Sequence, residues 1–270
     1  MPHIRSPLFA IAALLGAISA SSAANAQNTI IALTGDNNIS LVDPGSMKTL
    51  STKPAKGVKK LLGFDVRPAD NMLYGITDTG WIVTIDPKTG TVTQKSELST
   101  KPSANAVVTV DFNPAADRLR IITNDGMNLR VNVDDGKVTV DGGLKFAETD
   151  MHKGEKPDVA AAAYTNSWKG TKETALYDID VTIGALFKQA PPNDGVLSAV
   201  GKLGFKPKGP IAFNIVSEAE GKNAAWLVAD GKVYSVDLST GAAKETGKIQ
   251  GLNGVRDIGY WSAKPPKSTM

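Results

Sequence analysis

The chain has 270 residues, 30 Lys+Arg against 27 Asp+Glu, and no cysteine. No concentrated basic face or known motif points to nucleic acid. The missing cysteine rules out disulfides, thiol chemistry and Cys–zinc sites, so stability must come from packing.

The N-terminus reads as a secretory leader. Arg5 is followed by an apolar run from Pro7 to Ala20, a polar stretch and Ala24-Asn25-Ala26, the order of a signal peptide cleaved before Gln27. The run has 14 residues, short of the roughly 20 that span a bilayer. The mature chain, 270 − 26 = 244 residues with 29 Lys+Arg against 27 Asp+Glu, carries a net charge of +2. We expect an exported protein, periplasmic or secreted, with no membrane span after cleavage and one domain over residues 27–270.

The next elements are short strands. Residues 27–52 supply three, ending through "LVDPG" at Leu41–Gly45. Asp65–Thr93 then aligns without a gap on Asp111–Thr139, 46 residues later, with ten identities in 29 positions. A period of this size marks stacked units or propeller blades. In the second copy Val107–Phe112 is a strand and Asn113-Pro114 a turn, because proline fixes its φ and cannot donate to a ladder. Leu119–Thr123, Leu129–Val133 and Val138–Val140 follow, separated by Asn124-Asp125-Gly126 and Asp135-Gly136, which makes one antiparallel meander. The third-strand signature recurs as "TIDPKTG" (Thr84–Gly90), "VNVDDG" (Val131–Gly136) and "SVDLSTG" (Ser235–Gly241). Further units start near Val159 and Pro210, and Val255–Trp261 supplies one isolated strand.

Strands from both termini would complete a last unit and remove the exposed sheet edges. The fold expected is all-β: a β-propeller of five four-stranded blades closed by N- and C-terminal strands. Six blades is the alternative if the long fourth unit is split.

Four stretches, "LLGFDVRPADNMLYGI", "VDFNPAADRLRIITNDGMNLRVN", "AAAYTNSWKGTKETALYDIDV" and "PPNDGVLSAVGKLG", resemble the domain-of-unknown-function family 4394, a largely bacterial family. The resemblance covers nearly the whole mature chain and implies a repeat-built exported β domain with no assigned reaction. Lysine-rich insertions at Lys53–Lys60 and Ala147–Lys156 depart from the family pattern.

Chemistry is narrowed mainly by what is missing. After leader removal His152 is the only histidine; a Ser–His–Asp triad would need it as the base, and its Gly, Lys and Pro neighbours read as a solvated loop. The residues lean against catalysis, and no cofactor is expected. Oxygen-ligand metals stay open. Asp65 and Asp111 are repeat equivalents on first strands, which line a propeller's channel, so a Ca2+ site or a lactonase-like metal hydrolase is an alternative. The preferred reading is that each carboxylate accepts hydrogen bonds from its own turn. Asp43, Asp86, Asn132 and Asp237 sit just before a turn in four units, as a shared cap predicts.

Arginine is concentrated oddly. Arg118, Arg120 and Arg130 lie within one stretch, and only Arg67 and Arg256 join them outside the leader. Arg118 and Arg120 share a strand face. A two-residue turn pairs Arg130 with Ile121; a turn over Asp125–Met127 pairs it with Ile122 and puts it on the Arg118/Arg120 face. One reading is an inter-blade network with acids such as Asp65, Asp111, Asp117 or Asp178. The other is an anionic-ligand pocket built from Arg118, Arg120, Arg130, Arg67 and Asn113. We expect an exported binding or scaffolding module that meets an unknown protein or a small anionic ligand. A purely structural envelope-associated role is a further alternative.

Overall fold

Twenty-one short strands in five sheets account for nearly all regular structure in the computed structural model, which describes residues 28–103, 105–219 and 221–261. The leader expected over residues 1–26 lies outside the described residues. Blade 1 contains β1 (Thr29–Thr34), β2 (Asn38–Val42) and β3 (Thr49–Pro54). Blade 2 is β4 (Leu61–Val66), β5 (Leu73–Thr77), β6 (Trp81–Asp86) and β7 (Thr91–Glu97). Blade 3 is β8 (Val108–Asn113), β9 (Arg118–Thr123), β10 (Asn128–Val131) and β11 (Val138–Val140). The short β12 (Lys145–Phe146) leads to blade 4, β13 (Val159–Tyr164), β14 (Leu176–Asp180), β15 (Ala185–Gln189) and β16 (Val196–Lys202). Blade 5 is β17 (Ile211–Ala219), β18 (Lys222–Ala229), β19 (Lys232–Val236) and β20 (Ala243–Gly247), and the chain then returns to blade 1 as β21 (Val255–Trp261).

Each blade is an antiparallel meander that runs from the axis outwards. The five-bladed expectation holds, and the fourth unit is not split; its extra length supplies β12, which pairs in parallel with β16 on the outer edge. The ring closes where β21 becomes the innermost strand of blade 1, with Ile30 opposite Tyr260 and Ala32 opposite Ile258.

The blades bury their faces against each other. One apolar cluster fills each junction: Ile31 and Leu33 of blade 1 pack with Phe64 and Leu73 of blade 2, Tyr74 and Ile76 of blade 2 with Phe112 and Leu119 of blade 3, and so on round to Val228 of blade 5 with Ile30 and Ile258. This two-sided burial explains why β5 is buried at every position and β9 at all but its first.

An innermost strand has only one neighbour in its ladder, so its other edge leaves N–H groups that need partners. Side chains from the preceding blade supply them. Asp257 Oδ2 accepts from Phe64 N at 2.8 Å, Asp65 Oδ2 from Phe112 N at 2.8 Å, and Asp111 Oδ1 from Tyr164 N at 3.0 Å. Asn214 Nδ2 of blade 5 donates to Ile258 O at 3.2 Å, which joins blade 5 to blade 1. These contacts fix the ring of first strands about the axis.

Candidate functional site

The repeat places its turns on two faces, and the sequence-selected residues divide between them. Asp43, Asp86, Asn132 and Asp237 cap the turns after the third strands, as expected: Asp43 accepts from Ser46, Asp86 from Lys88 and Thr89, Asn132 from Asp134, and Asp237 from Ser239 and Thr240.

Arg67 leaves the end of β4 and crosses to blade 3. Its Nε and Nη2 grip both carboxylate oxygens of Asp117 at 2.8 and 2.6 Å, and Nη1 reaches Asp70, Tyr74 and Asp134. Arg118 instead donates to the carbonyls of Asp117 and Ala116 beside it. Asn113 accepts from Ala115 N and Ala116 N and so caps its own turn.

Arg120 is only 2% exposed. Its Nε donates to the Tyr164 hydroxyl at 3.1 Å, its Nη1 to Asn128 and Asp141 at 2.8 and 2.6 Å, and its Nη2 to Asn193 at 2.7 Å. Arg130 closes the other side of Asp141 through Nε and Nη2 at 3.1 and 2.9 Å. Neither cross-strand pairing expected for Arg130 forms: it lies opposite Arg120 itself. The loop has three residues, Asn124–Gly126, because Thr123 pairs with Met127 and its hydroxyl accepts from Met127 N. Arg130 therefore joins the Arg118/Arg120 face. Burial opposes ionisation of Asp141, but the hydrogen bonds from Arg130 and Arg120 outweigh it and hold the carboxyl below its usual range. The network joins blades 3 and 4 through Tyr164 and Asn193.

Of the acids suggested as arginine partners, only Asp117 meets an arginine directly. Asp65 Oδ1 accepts from the adjacent Val66 N at 2.7 Å while its Oδ2 serves Phe112 N of the next blade, and Asp111 Oδ1 serves Tyr164 N of the blade after; the main role of both is between blades rather than in their own turns. Asp178 lies near Arg120 without a hydrogen bond to it. Burial pushes the Asp65 carboxyl up to about 7 and that of Asp257 up to about 8, and it raises Asp111 well above the ordinary range, aided by the charge of Asp65. Among the described residues no group of three or more His, Cys, Asp or Glu side chains is placed to hold a metal ion. His152 lies in an exposed loop, as expected, but its own ring is partly covered: it meets Phe146 at a tilt and Phe187 edge-on, with ring centroids 5.6 and 6.1 Å away, and pairs with Glu155.

A large concavity lies elsewhere. It lies on the face where the first strands begin, and all five blades line it: Asp36 and Arg256 of blade 1, Lys60 and Leu62 of blade 2, Val107 and Asn124 of blade 3, Ala160 and Val181 of blade 4, and Ile211 of blade 5. Its volume is about 790 Å³, within the range of small-molecule sites. The walls are mainly apolar, and Val107 is 50% exposed. Arg256 is fixed by carbonyls alone: Nε donates to Gly35 O, Nη1 to Leu62 O, and Nη2 to Asp36 O and Leu61 O. Among the described residues no carboxylate lies within ion-pair distance of it, and burial pulls its pKa down against the more distant charges of Asp257 and Asp36. Among the described residues nothing engages the Lys60 ammonium. Asp158, also in the lining, accepts from the Thr182 hydroxyl.

A family model for a domain of unknown function (DUF4394) matches residues 38–259. The chain belongs to this family. In this DUF4394 chain the match runs from β2 into β21, so it takes in every blade and the whole lining of the axial cleft apart from Gly35 and Asp36. A protein of unknown function from Bacteroides thetaiotaomicron VPI-5482 is similar in fold, with 16% identity, a TM-score of 0.50, and coverage of 88% of this chain and 67% of that one. A protein of unknown function from Bacteroides caccae gives 9% identity and a TM-score of 0.47 over 87% and 99% of the two chains. An auxiliary nutrient binding protein from Bacteroides ovatus ATCC 8483 gives 14% identity and a TM-score of 0.48 over 73% and 51%. At these identities the likeness is one of fold alone. No curated protein matches the chain.

None of the cleft residues was selected from the DUF4394 sequence. A partial signal was present: at the 46-residue shift Lys60-Leu61-Leu62 aligns on Ala106-Val107-Val108, which keeps the apolar pair but not the lysine.

Proposed function

We propose that this protein is an exported binding module whose axial cleft takes a small ligand with an apolar body and an anionic group. The observation that carries the reading is the composition of that cleft. Leu62, Val107, Ala160, Val181 and Ile211 offer apolar wall, while Arg256 brings a half-buried cation whose hydrogen bonds all go to neutral carbonyls. Asp257 and Asp36 act on Arg256 only through space, without an ion pair, and a desolvated cation in that condition favours an anion beside it. Lys60 adds a second positive group. The lining also holds Asp36 and Asp158, so long-range attraction would be weak and the anion must be read locally. Export rests on the leader pattern of residues 1–26.

The arginine cluster supports this division of labour. Arg67, Arg120 and Arg130 are all engaged by carboxylates, which suits the inter-blade role better than an anion pocket. Octanoate, octanol and octylamine separate the possibilities in a thermal-shift and calorimetric comparison. Octanoate is expected to raise Tm in proportion to the logarithm of its concentration once above Kd, octylamine to have no effect, and Leu62→Trp to abolish the octanoate response by filling the cleft. A response that survives Leu62→Trp would place the ligand elsewhere. Silence from octanoate would remove the proposal.

A further inference from the structure

The face of blade 4 that meets blade 3 carries an acid at its centre. Asp178 on β14 lies opposite Ala162 on β13 and Phe187 on β15. Leu176, two residues earlier and so on the same face, lies opposite Tyr164 and Gln189. Tyr164 and Gln189 thus flank Asp178 on the diagonals. Asp178 is fully buried and Gln189 is 1% exposed. Both carboxylate oxygens of Asp178 and Oε1 of Gln189 have no hydrogen-bond partner. Native proteins rarely leave buried acceptors in that condition, since each would forfeit its solvation. The Gln189 amide is not free to turn over and cure this, because Nε2 donates to Pro192 O.

Blade 3 closes over this face with a donor to spare. The Arg120 guanidinium has five N–H groups. Nε uses one on Tyr164, Nη1 uses two on Asn128 and Asp141, and Nη2 uses one on Asn193. One Nη2 N–H remains. Burial raises the Asp178 carboxyl well above its ordinary range and the nearby Arg120 charge only opposes this; the two side chains make neither a hydrogen bond nor an ion pair. A gap of that kind between complementary polar groups is where a bridging molecule sits.

We propose that the junction of blades 3 and 4 encloses a resident water that accepts the remaining Arg120 N–H and donates to Asp178 and Gln189. The sign of each group selects the occupant. Three oxygen acceptors alone would suit a metal cation, but an arginine N–H offered to the same space repels one. An anion would meet only acceptors on the blade 4 side. Water satisfies both signs at once, and three hydrogen bonds is the usual complement of a buried water. The molecule completes the arginine fork and links the middle of β14 to β9, so this junction is joined through its interior as well as at its rim.

The test is a high-resolution crystal structure of the wild-type protein, with water relaxation dispersion to count long-lived internal waters in wild type, Asp178→Leu and Gln189→Leu. The expected result is one ordered oxygen within hydrogen-bond distance of Arg120, Asp178 and Gln189, and one long-lived water fewer in each variant. Should Asp178→Leu not fold, Gln189→Leu carries the count alone. Direct contact of Asp178 with Arg120 or Gln189 and no density between them would overturn the proposal. So would short, cation-type contacts together with a Tm that responds to Na+, K+ or Ca2+, or an unchanged water count in the variants.

Discussion

Arg120 and Arg130 face each other across adjacent strands and hold a single carboxylate, Asp141, between them. Two like charges at a cross-strand pair repel, and the shared acid turns that repulsion into a bridge. Asp141 and Arg120 have side chains 6% and 2% exposed, whereas Arg130 is 33% exposed. Removing the acid strands a buried cation, so Asp141→Ala is expected to cost about 3–5 kcal/mol in urea unfolding. Arg130→Gln leaves the buried pair intact and is expected to cost under about 1 kcal/mol. Equal losses would contradict this assignment of roles.

Arg120→Lys probes the same network by geometry. Lysine keeps the charge but cannot serve Tyr164, Asn128, Asp141 and Asn193 from a planar fork. A lower Tm in ligand-free protein is expected, with the octanoate response at the axial cleft retained. An unchanged Tm with a lost response would move the ligand site to the arginines.

The repeat glycines do more than turn the chain. A Cβ on Gly136, at φ +74, would stand 1.9 Å from Glu97 O of the preceding blade. Gly126, at φ +97, has open space around it. Alanine at either position pays for the left-handed backbone, about 1–2 kcal/mol. Only Gly136→Ala must also push two blades apart, and it should lose clearly more stability than Gly126→Ala in the same unfolding assay. Matching losses would mean that the turn alone requires glycine.

Buried axial acids give stability a pH dependence of unusual sign. Asp65 and Asp257 titrate at about 7 and about 8 in the folded protein against 3.8 ordinarily, and Asp111 is raised too, burial being the main cause in each. Between those values the folded state binds more protons than the unfolded state. Their contribution is therefore greatest below the unfolded pKa and falls as pH rises through the folded ones. Asp43, Asp86, Asp125, Asp141 and Asp237 are shifted downwards, so their changes lie at more acid pH. The urea midpoint should fall between roughly pH 5 and pH 8, and Asp257→Asn should flatten that slope. A midpoint that rises over the same range would refute the account of these carboxylates.

The fold was legible because the blades repeat the same local chemistry, an Asn or Asp cap in four of the five, a turn glycine and alternating strand residues, with two termini that each lack part of a blade. The docking role of Gly136 was hidden, because its contact, Glu97, belongs to the preceding unit. The face of Arg130 was hidden by a single hydroxyl, Thr123, that sets the loop length. The aromatic contact of His152 was hidden because Phe187, one of its two aromatic neighbours, comes 35 residues later. The axial cleft was the least legible feature. Lys60, Val107, Ala160, Ile211 and Arg256 come from five separate units, and only ring closure brings them together.

The most direct measurement is calorimetric titration of octanoate into wild type, Lys60→Glu, Leu62→Trp and Arg118→Ala. Binding that is weakened at least about tenfold, or 1.4 kcal/mol, by Lys60→Glu, abolished by Leu62→Trp and unchanged by Arg118→Ala is the predicted result. Binding that ignores Lys60 and Leu62 and is lost with Arg118 would contradict the axial site.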